Sequence, residues 1–205
     1  KSWLTENNCR EVAMESTGVY WFPIYNVLEA MFEDEGGIHM TVTNPRHMKN
    51  VPGKKTDVND AKWIASLLRA GLLNPSYIPP RQVRELRDWT RYRKTIVQEM
   101  TGHKNRVDKY LQQCGFKLSM FLTDIFGQSG MSLIHKLCET GYISPDDVLS
   151  HLRGSTRKKL DNIKQAVNGR LSGHEQSFLA MLVRNLEQCL REIVEIEEKI
   201  MECAG

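Results

Sequence analysis

Three carboxylate side chains stand out by their type and their spacing. Glu15 ends a short apolar run, whereas Asp57 and Asp60 stand three residues apart further along the chain. Carboxylates that converge repel one another unless a cation lies between them, and Mg²⁺ prefers oxygen ligands of this kind. Together the three acids predict a site at which Mg²⁺ aligns an attacking hydroxyl with a phosphodiester.

The pair Asp57 and Asp60 also has a simpler interpretation. Acids at positions i and i+3 share one face of a helix, and a capping acid followed by a first-turn acid has the same spacing. Taken alone, the pair favours capping. The residues beside the acids favour a phosphate site instead, because hydroxyls and ammonium groups bind phosphate; these are Thr17, Lys54, Lys55 and Thr56.

The first 75 residues show the alternation of an α/β domain. The pattern predicts strands at 12–15 and 38–42, helices at 20–32 and 57–70, and a basic loop at 46–55. Glu15 then lies at the carboxyl end of a strand, where α/β sheets gather their ligands. Two strands are too few for a stable covered sheet, so we expect further strands outside this sequence.

After Pro79-Pro80 the pattern is almost wholly helical. It predicts a long helix at 81–114 and shorter helices at 130–139, 145–152 and 156–167. The last segment carries a coiled-coil seam with steps of three and four residues, formed by Leu179, Leu182, Leu186, Cys189, Ile193, Ile196, Ile200 and Cys203. Self-association and an antiparallel hairpin between the two long helices both satisfy this pattern. The predicted domains are 1–78 and 79–205, the second serving dimerisation and nucleic-acid binding.

The net charge of +3 hides an uneven distribution. Residues 81–109 hold nine Lys or Arg against four acids, and residues 153–170 hold six against one. Clustered positive charge indicates phosphate contacts, although a solvated helix face has the same composition. The candidate nucleic-acid-binding residues in these segments are Arg84, Arg87, Arg91, Arg93, Lys94, Lys104, Arg106, Arg157, Lys158 and Lys159.

Other classes of protein are disfavoured by what the sequence lacks. No apolar run approaches the roughly 20 residues that span a bilayer, and the start has no signal-peptide pattern, so we predict a cytoplasmic protein. The five cysteines are widely spaced and form no CxxC pair. They are expected to be reduced and mostly buried.

Several motifs in order resemble the DEDD-motif transposases of insertion sequences, which are relatives of the pilin-gene DNA invertase. The motifs are Met14-Glu15-Ser16-Thr17-Gly18-Val19-Tyr20-Trp21, Thr43-Asn44-Pro45, Lys55-Thr56-Asp57-Val58-Asn59-Asp60-Ala61 and Arg91-Tyr92-Arg93. The similarity continues through Gly127-Gln128-Ser129-Gly130 into the last helix.

The resemblance implies a partial RuvC-like (RNase H-fold) domain followed by a long-helix coiled-coil domain. Glu15, Asp57 and Asp60 would be the second, third and fourth acids of DEDD, with the first Asp on an upstream strand that this sequence lacks. A catalytic Ser would lie in a C-terminal domain beyond this sequence, so the chain alone is expected to be inactive. Ser129 falls in the helical insert and is assigned no catalysis.

The resemblance also implies Mg²⁺, target and donor DNA, and a structured bridge RNA that guides a recombinase working as dimers and tetramers. Two alternatives remain open. One is a stand-alone Mg²⁺-dependent RuvC-type nuclease, which needs a fourth acid such as Asp34, Asp88 or Asp108. The other is a non-catalytic RNA-binding and dimerisation module.

Overall fold

A computed structural model describes residues 2–35, 38–45 and 57–205, of which residues 2, 32–35 and 57–59 are described by their backbone alone. The chain divides into two compact units, Lys1–Pro80 and Arg81–Gly205. No helix of the described residues is both long enough and apolar enough to cross a membrane.

The first unit is built around a two-stranded parallel sheet. Its elements are α1 (Ser2–Glu6), β1 (Glu11–Glu15), α2 (Trp21–Glu35), β2 (His39–Thr43) and α3 (Asp57–Arg69). In the register of the sheet, Glu11 lies opposite His39 and Glu15 lies opposite Thr43. Because parallel strands need a crossover connection, α2 joins them as the helix of a βαβ unit. Both expected strands are present. β1 begins one residue earlier than predicted, and β2 begins and ends one residue later.

A third extended segment borders β2 on its other edge. The backbone N–H of Ser76 donates to the carbonyl of Val42 at 2.7 Å, and Thr43 forms an isolated bridge with Pro75. The buried hydroxyl of Thr43 donates to the carbonyl of Asn74 at 3.2 Å. These bonds hold the carboxyl end of β2 between β1 and residues 74–76.

Few hydrophobic side chains are buried in the described part of the first unit. They are Leu28, Val42 and Leu67. Helix α2 also carries apolar side chains that remain exposed, including Ile24 and Val27. Since apolar burial is the main stabilising term in folding, these three side chains, Leu28, Val42 and Leu67, are important to the stability of the unit.

The second unit is helical. Its elements are α4 (Arg81–Gln113), α5 (Gln128–Thr140), α6 (Val148–His151), α7 (Leu160–Ala166) and α8 (Gly173–Ala204), with 3-10 turns at Leu118–Met120 and Gly154–Lys159. Helices α4 and α8 pack against each other. Early residues of α4 meet late residues of α8, as the pair Arg93–Glu197 shows, and Tyr110 meets Phe178 at the other end. The two helices therefore form an antiparallel hairpin, one of the two arrangements that the sequence allowed.

The apolar seam of α8 packs within this hairpin, with four of its eight residues buried and four half-buried. Ile96 of α4 clusters with Cys189 and Ile196 of α8, and Trp89 and Met100 pack on the same cluster. The charges also match, because the basic first half of α4 lies along the acidic second half of α8. Intramolecular packing thus accounts for the three-and-four spacing of the seam residues.

Helix α8 begins with a capping box. The Ser172 hydroxyl accepts the Glu175 backbone N–H at 3.3 Å, and the Glu175 carboxylate accepts the Ser172 backbone N–H at 2.7 Å. The Ser172 backbone N–H and the Ser172 hydroxyl both donate to the Glu175 carboxylate, and these bonds lower the pKa of Glu175 because they stabilise its ionised form. The motif satisfies two backbone donors that the helix cannot pair internally.

The shorter helices enclose the larger core, which includes Val107, Leu133 and Leu179. The predicted helix at 156–167 was wrong in its first part, where a 3-10 turn precedes α7. Gly154 has φ +54°, and the Thr156 hydroxyl donates to the carbonyl of Arg153, so local side-chain bonding competes with an α-helical turn. The helix expected at 145–152 is confined to α6.

All five cysteines are free. The expectation that most of them are buried was wrong, since Cys189 is buried and the other four are half-buried. Burial raises the pKa of the Cys138 thiol to about 11, which keeps it protonated at neutral pH.

Candidate functional site

Glu15 lies at the carboxyl end of β1 and is half-buried. The backbone N–H of Ser16 donates to the Thr43 carbonyl at 2.9 Å, so pairing continues one residue beyond the strand. The Thr17 hydroxyl donates a hydrogen bond to Oε1 of Glu15. Thr17, which the sequence suggested as a phosphate contact, therefore orients the carboxylate and leaves its second oxygen for another partner.

The two aspartates belong to α3, which packs against β1. The helix begins at Asp57, so both acids occupy its first turn, where negative charge also stabilises the helix dipole. Asp60 is exposed. The side chain of Asp57 and all of Lys54, Lys55 and Thr56 lie outside the described part. Among the residues whose side chains are described, no group of three His, Cys, Asp or Glu is placed to hold a metal.

Four of the predicted cations share one face of α4. Arg84, Arg87, Arg91 and Lys94 follow one another at steps of three, four and three residues. At 3.6 residues per turn this face lies opposite the seam that holds Ile96, and the four positions span about 15 Å. Arg87, Arg91 and Lys94 are exposed, whereas Arg84 is half-buried. We call these four residues the basic stripe, in which Arg87, Arg91 and Lys94 present their charge to solvent.

The other predicted cations of α4 have different surroundings. Arg93 lies on the side of the hairpin and pairs with Glu197 at 2.5 Å. The Lys104 ammonium lies 5.4 Å from the centroid of the Phe126 ring. The Arg106 guanidinium lies 3.4 Å from Nδ1 of His103. The sequence alone did not distinguish these three cations, which contact other side chains of the protein, from the cations of the basic stripe.

We call the 3-10 turn Gly154–Lys159 the basic turn, and its cations also differ in their contacts. Arg157 donates to the carbonyl of Leu152 at 3.2 Å, and Lys159 donates to the carbonyl of Phe121 at 2.8 Å. Lys158 is exposed. Lys158 and Lys159 line a cavity together with Arg153, a residue that the sequence analysis did not select. Its position at the start of the basic run 153–170 was the available signal.

Ser129 is buried and bonded on both sides. Its oxygen accepts the Arg153 backbone N–H at 2.8 Å. Because the Thr156 hydroxyl donates to the Arg153 carbonyl, the Ser129 hydroxyl must donate to Oγ1 of Thr156, which lies 3.0 Å away. The serine proton is thereby committed to a structural ring of hydrogen bonds.

Comparison with known families defines the class of the chain. The profile of the IS110-type DEDD transposase family, described as a transposase, matches residues 1–116. This segment is more than half of the chain and contains Glu15, Asp57, Asp60 and the basic stripe. The chain belongs to this family, whose members are DNA transposases. No curated protein and no solved structure matches it.

Proposed function

We propose that the chain is the RuvC-like and helical portion of an RNA-guided DNA recombinase from an insertion sequence. In this proposal the protein cleaves and exchanges DNA strands, with Glu15, Asp57 and Asp60 as its metal-binding acids and a Ser nucleophile in a C-terminal domain outside this chain. The observation that carries it is the family match, which includes all three acids. The packing of α3 on the strand that ends in Glu15 supports it.

The donor set suits Mg²⁺. Carboxylate oxygens are its preferred protein ligands, and the hydrogen bond from Thr17 leaves one oxygen of Glu15 available. When bound, Mg²⁺ would supply charge stabilisation at a phosphodiester and orient an attacking hydroxyl. Glu15 and the two aspartates would hold the ion, and Thr17 would keep the Glu15 carboxylate in place.

The basic stripe is the proposed contact for nucleic-acid backbones. Cations at steps of about 5 Å along a straight helix can follow a row of phosphates without reading bases. Such a surface suits a protein whose sequence choice is delegated to a guide RNA. Assembly into dimers and tetramers and a cytoplasmic location, where target and donor DNA are found, belong to the same proposal.

The stand-alone nuclease is less well supported. It needs a fourth acid at the metal site, and the candidates Asp88 and Asp108 lie on α4 rather than on a strand. Asp108 accepts a hydrogen bond from Gln112 at 2.9 Å, which gives it a structural partner. The side chain of Asp34 lies outside the described part. The non-catalytic module is the second alternative, and it predicts RNA binding without recombination by the natural-length protein.

The RNA partner is tested by purifying the natural-length protein from its host and sequencing the RNA that accompanies it. The wild type should enrich one structured RNA encoded beside its gene. The stripe variant R87Q/R91Q/K94Q should retain about tenfold less of it, because three phosphate contacts are lost.

The matched control is R184Q/R191Q/K117Q, which removes the same charges from exposed positions elsewhere in the second unit. It should retain as much RNA as the wild type. If no RNA accompanies the wild type and bare DNA is cut with Mg²⁺, the nuclease replaces the guided recombinase.

A further inference from the structure

A cavity of about 680 Å³ lies in the second unit between the start of α5 and the 3-10 turn Gly154–Lys159. Three cations line it, Arg153, Lys158 and Lys159, against a single acid, Asp124. The hydroxyl of Ser155 also belongs to its wall. We call this cavity the basic pocket. Its excess of positive charge is suited to an anion.

The charged groups of the basic pocket differ in the hydrogen bonds that they already make within the protein. Asp124 accepts the backbone N–H of Phe126 at 2.9 Å, so part of its carboxylate is engaged. Lys159 is tethered by its bond to the Phe121 carbonyl, and Arg153 donates to the Ser150 carbonyl at 2.7 Å. Lys158 has no hydrogen bond or ion pair with the described residues. Its ammonium group is therefore available to a ligand.

The start of α5 adds donors to the same wall. Gly127 is the N-cap residue and provides no side-chain cap. In the described part of the chain, no protein acceptor pairs with the backbone N–H groups of Gln128 and Ser129. Unpaired first-turn N–H groups and the helix dipole favour a negative group at this end.

The pocket wall is held by specific packing. A Cβ on Gly130 would lie 2.1 Å from the carbonyl oxygen of Ile125, so only glycine lets the preceding loop press against α5. The ring of hydrogen bonds among Ser129, Arg153 and Thr156 ties the basic turn to the same helix. The cations and the helix start are thus held together before any ligand arrives, which lowers the entropic cost of binding.

We propose that the basic pocket binds a backbone phosphate of a nucleic-acid strand, together with its sugar. The volume is within the range of about 300–1,000 Å³ that is typical of small-ligand sites, so a nucleotide unit fits as well as a bare phosphate. This inference rests on the proposed function, because the strand would be the guide RNA or the DNA of recombination. The phosphodiester is the shared chemistry, and the experiment separates RNA from DNA.

The test uses the double variant K158Q/S155D, which removes the available cation and places a negative charge in the pocket wall. Its control, K117Q/S177D, makes the same changes at exposed positions outside the pocket. Binding of labelled 20-nucleotide RNA and DNA of one sequence is measured between 50 and 300 mM salt. Inorganic phosphate serves as a competitor.

For RNA, DNA or both, the pocket variant should bind about tenfold more weakly than the control, with a shallower dependence on salt. The strand that shows the loss is the ligand. Equal affinity of the two variants for both strands overturns the proposal. The proposal is also overturned if inorganic phosphate binds the pocket while the pocket variant and its control bind the oligonucleotides equally. The pocket would then be a site for a small anion.

The proposed function and the phosphate-binding role of the basic pocket are tested by different outcomes. Recombination by the natural-length protein with unchanged strand binding in the pocket variant would sink only this inference. Pocket-dependent strand binding by a protein that recombines nothing would sink only the recombinase.

Discussion

At Gly130 the structure leaves no room for a side chain. The first atom of any side chain would lie 2.1 Å from the Ile125 carbonyl oxygen, and backbone atoms cannot yield as a flexible side chain can. Gly102, in the middle of α4, offers a matched comparison. A Cβ there would have only the tip of Arg106 near it, at 3.9 Å.

We therefore predict opposite effects on the free energy of unfolding, measured by urea denaturation. G130A should lower it by about 3 kcal/mol, because the helix start and the preceding loop must separate. G102A should raise it by about 0.5–1 kcal/mol, since alanine restricts the unfolded chain and favours the helix. Equal effects of the two substitutions would contradict the close contact at Gly130.

At the scale of single residues, the sequence was sufficient to place a candidate acid on its strand but not to predict which side chains contact one another. Glu15 could be placed at a strand end because the apolar run stops there and Ser16-Thr17-Gly18 follows. The role of Ser129 in a hydrogen-bond ring could not be predicted, since its partners lie 24 and 27 residues away. Arg153 was missed for the same reason, because its pocket forms only when two distant segments meet.

At the scale of elements, the hairpin of α4 and α8 makes a quantitative prediction. Ile196 is 3% exposed in the seam, whereas Met201 on the same helix is 72% exposed. I196A should cost about 2–5 kcal/mol of unfolding free energy, because it leaves a cavity beside Ile96. M201A should change it by less than about 0.5 kcal/mol.

The measurement is urea denaturation at several protein concentrations. An intramolecular seam requires that the loss in I196A be independent of concentration. A loss that grows on dilution would show that the seam joins two chains instead.

The heptad spacing could predict a buried seam but not its partner, because periodicity describes one helix at a time. The charge pattern contained a further clue, since a basic helix start and an acidic helix end of similar length attract in antiparallel order. The 3-10 turn before α7 escaped prediction because the positive φ of Gly154 and the bond from Thr156 are local choices that apolar spacing does not record.

At the scale of the whole molecule, the change from an α/β pattern to a helical one is visible in the spacing of apolar residues along the sequence. The two-stranded parallel sheet follows from two short apolar runs separated by a helix, since such a connection permits parallel pairing. The convergence of Glu15 with Asp57 and Asp60 stays a prediction, because packing of α3 on β1 brings elements together without defining distances between their carboxylates.

The most direct test of the account is DNA recombination by the natural-length protein with its RNA, for E15Q, D57N and D60N. Glu11 provides the matched control, since it lies at the opposite end of β1 and pairs with His39 at 3.1 Å. The three acid variants should lose recombination by at least about a hundredfold, because each removes metal-borne charge stabilisation worth several kcal/mol. They should keep their folding and RNA binding, and E11Q should recombine normally. Recombination by E15Q at the level of E11Q, or unfolding of the aspartate variants with no effect of Mg²⁺ on the wild type, would contradict the account.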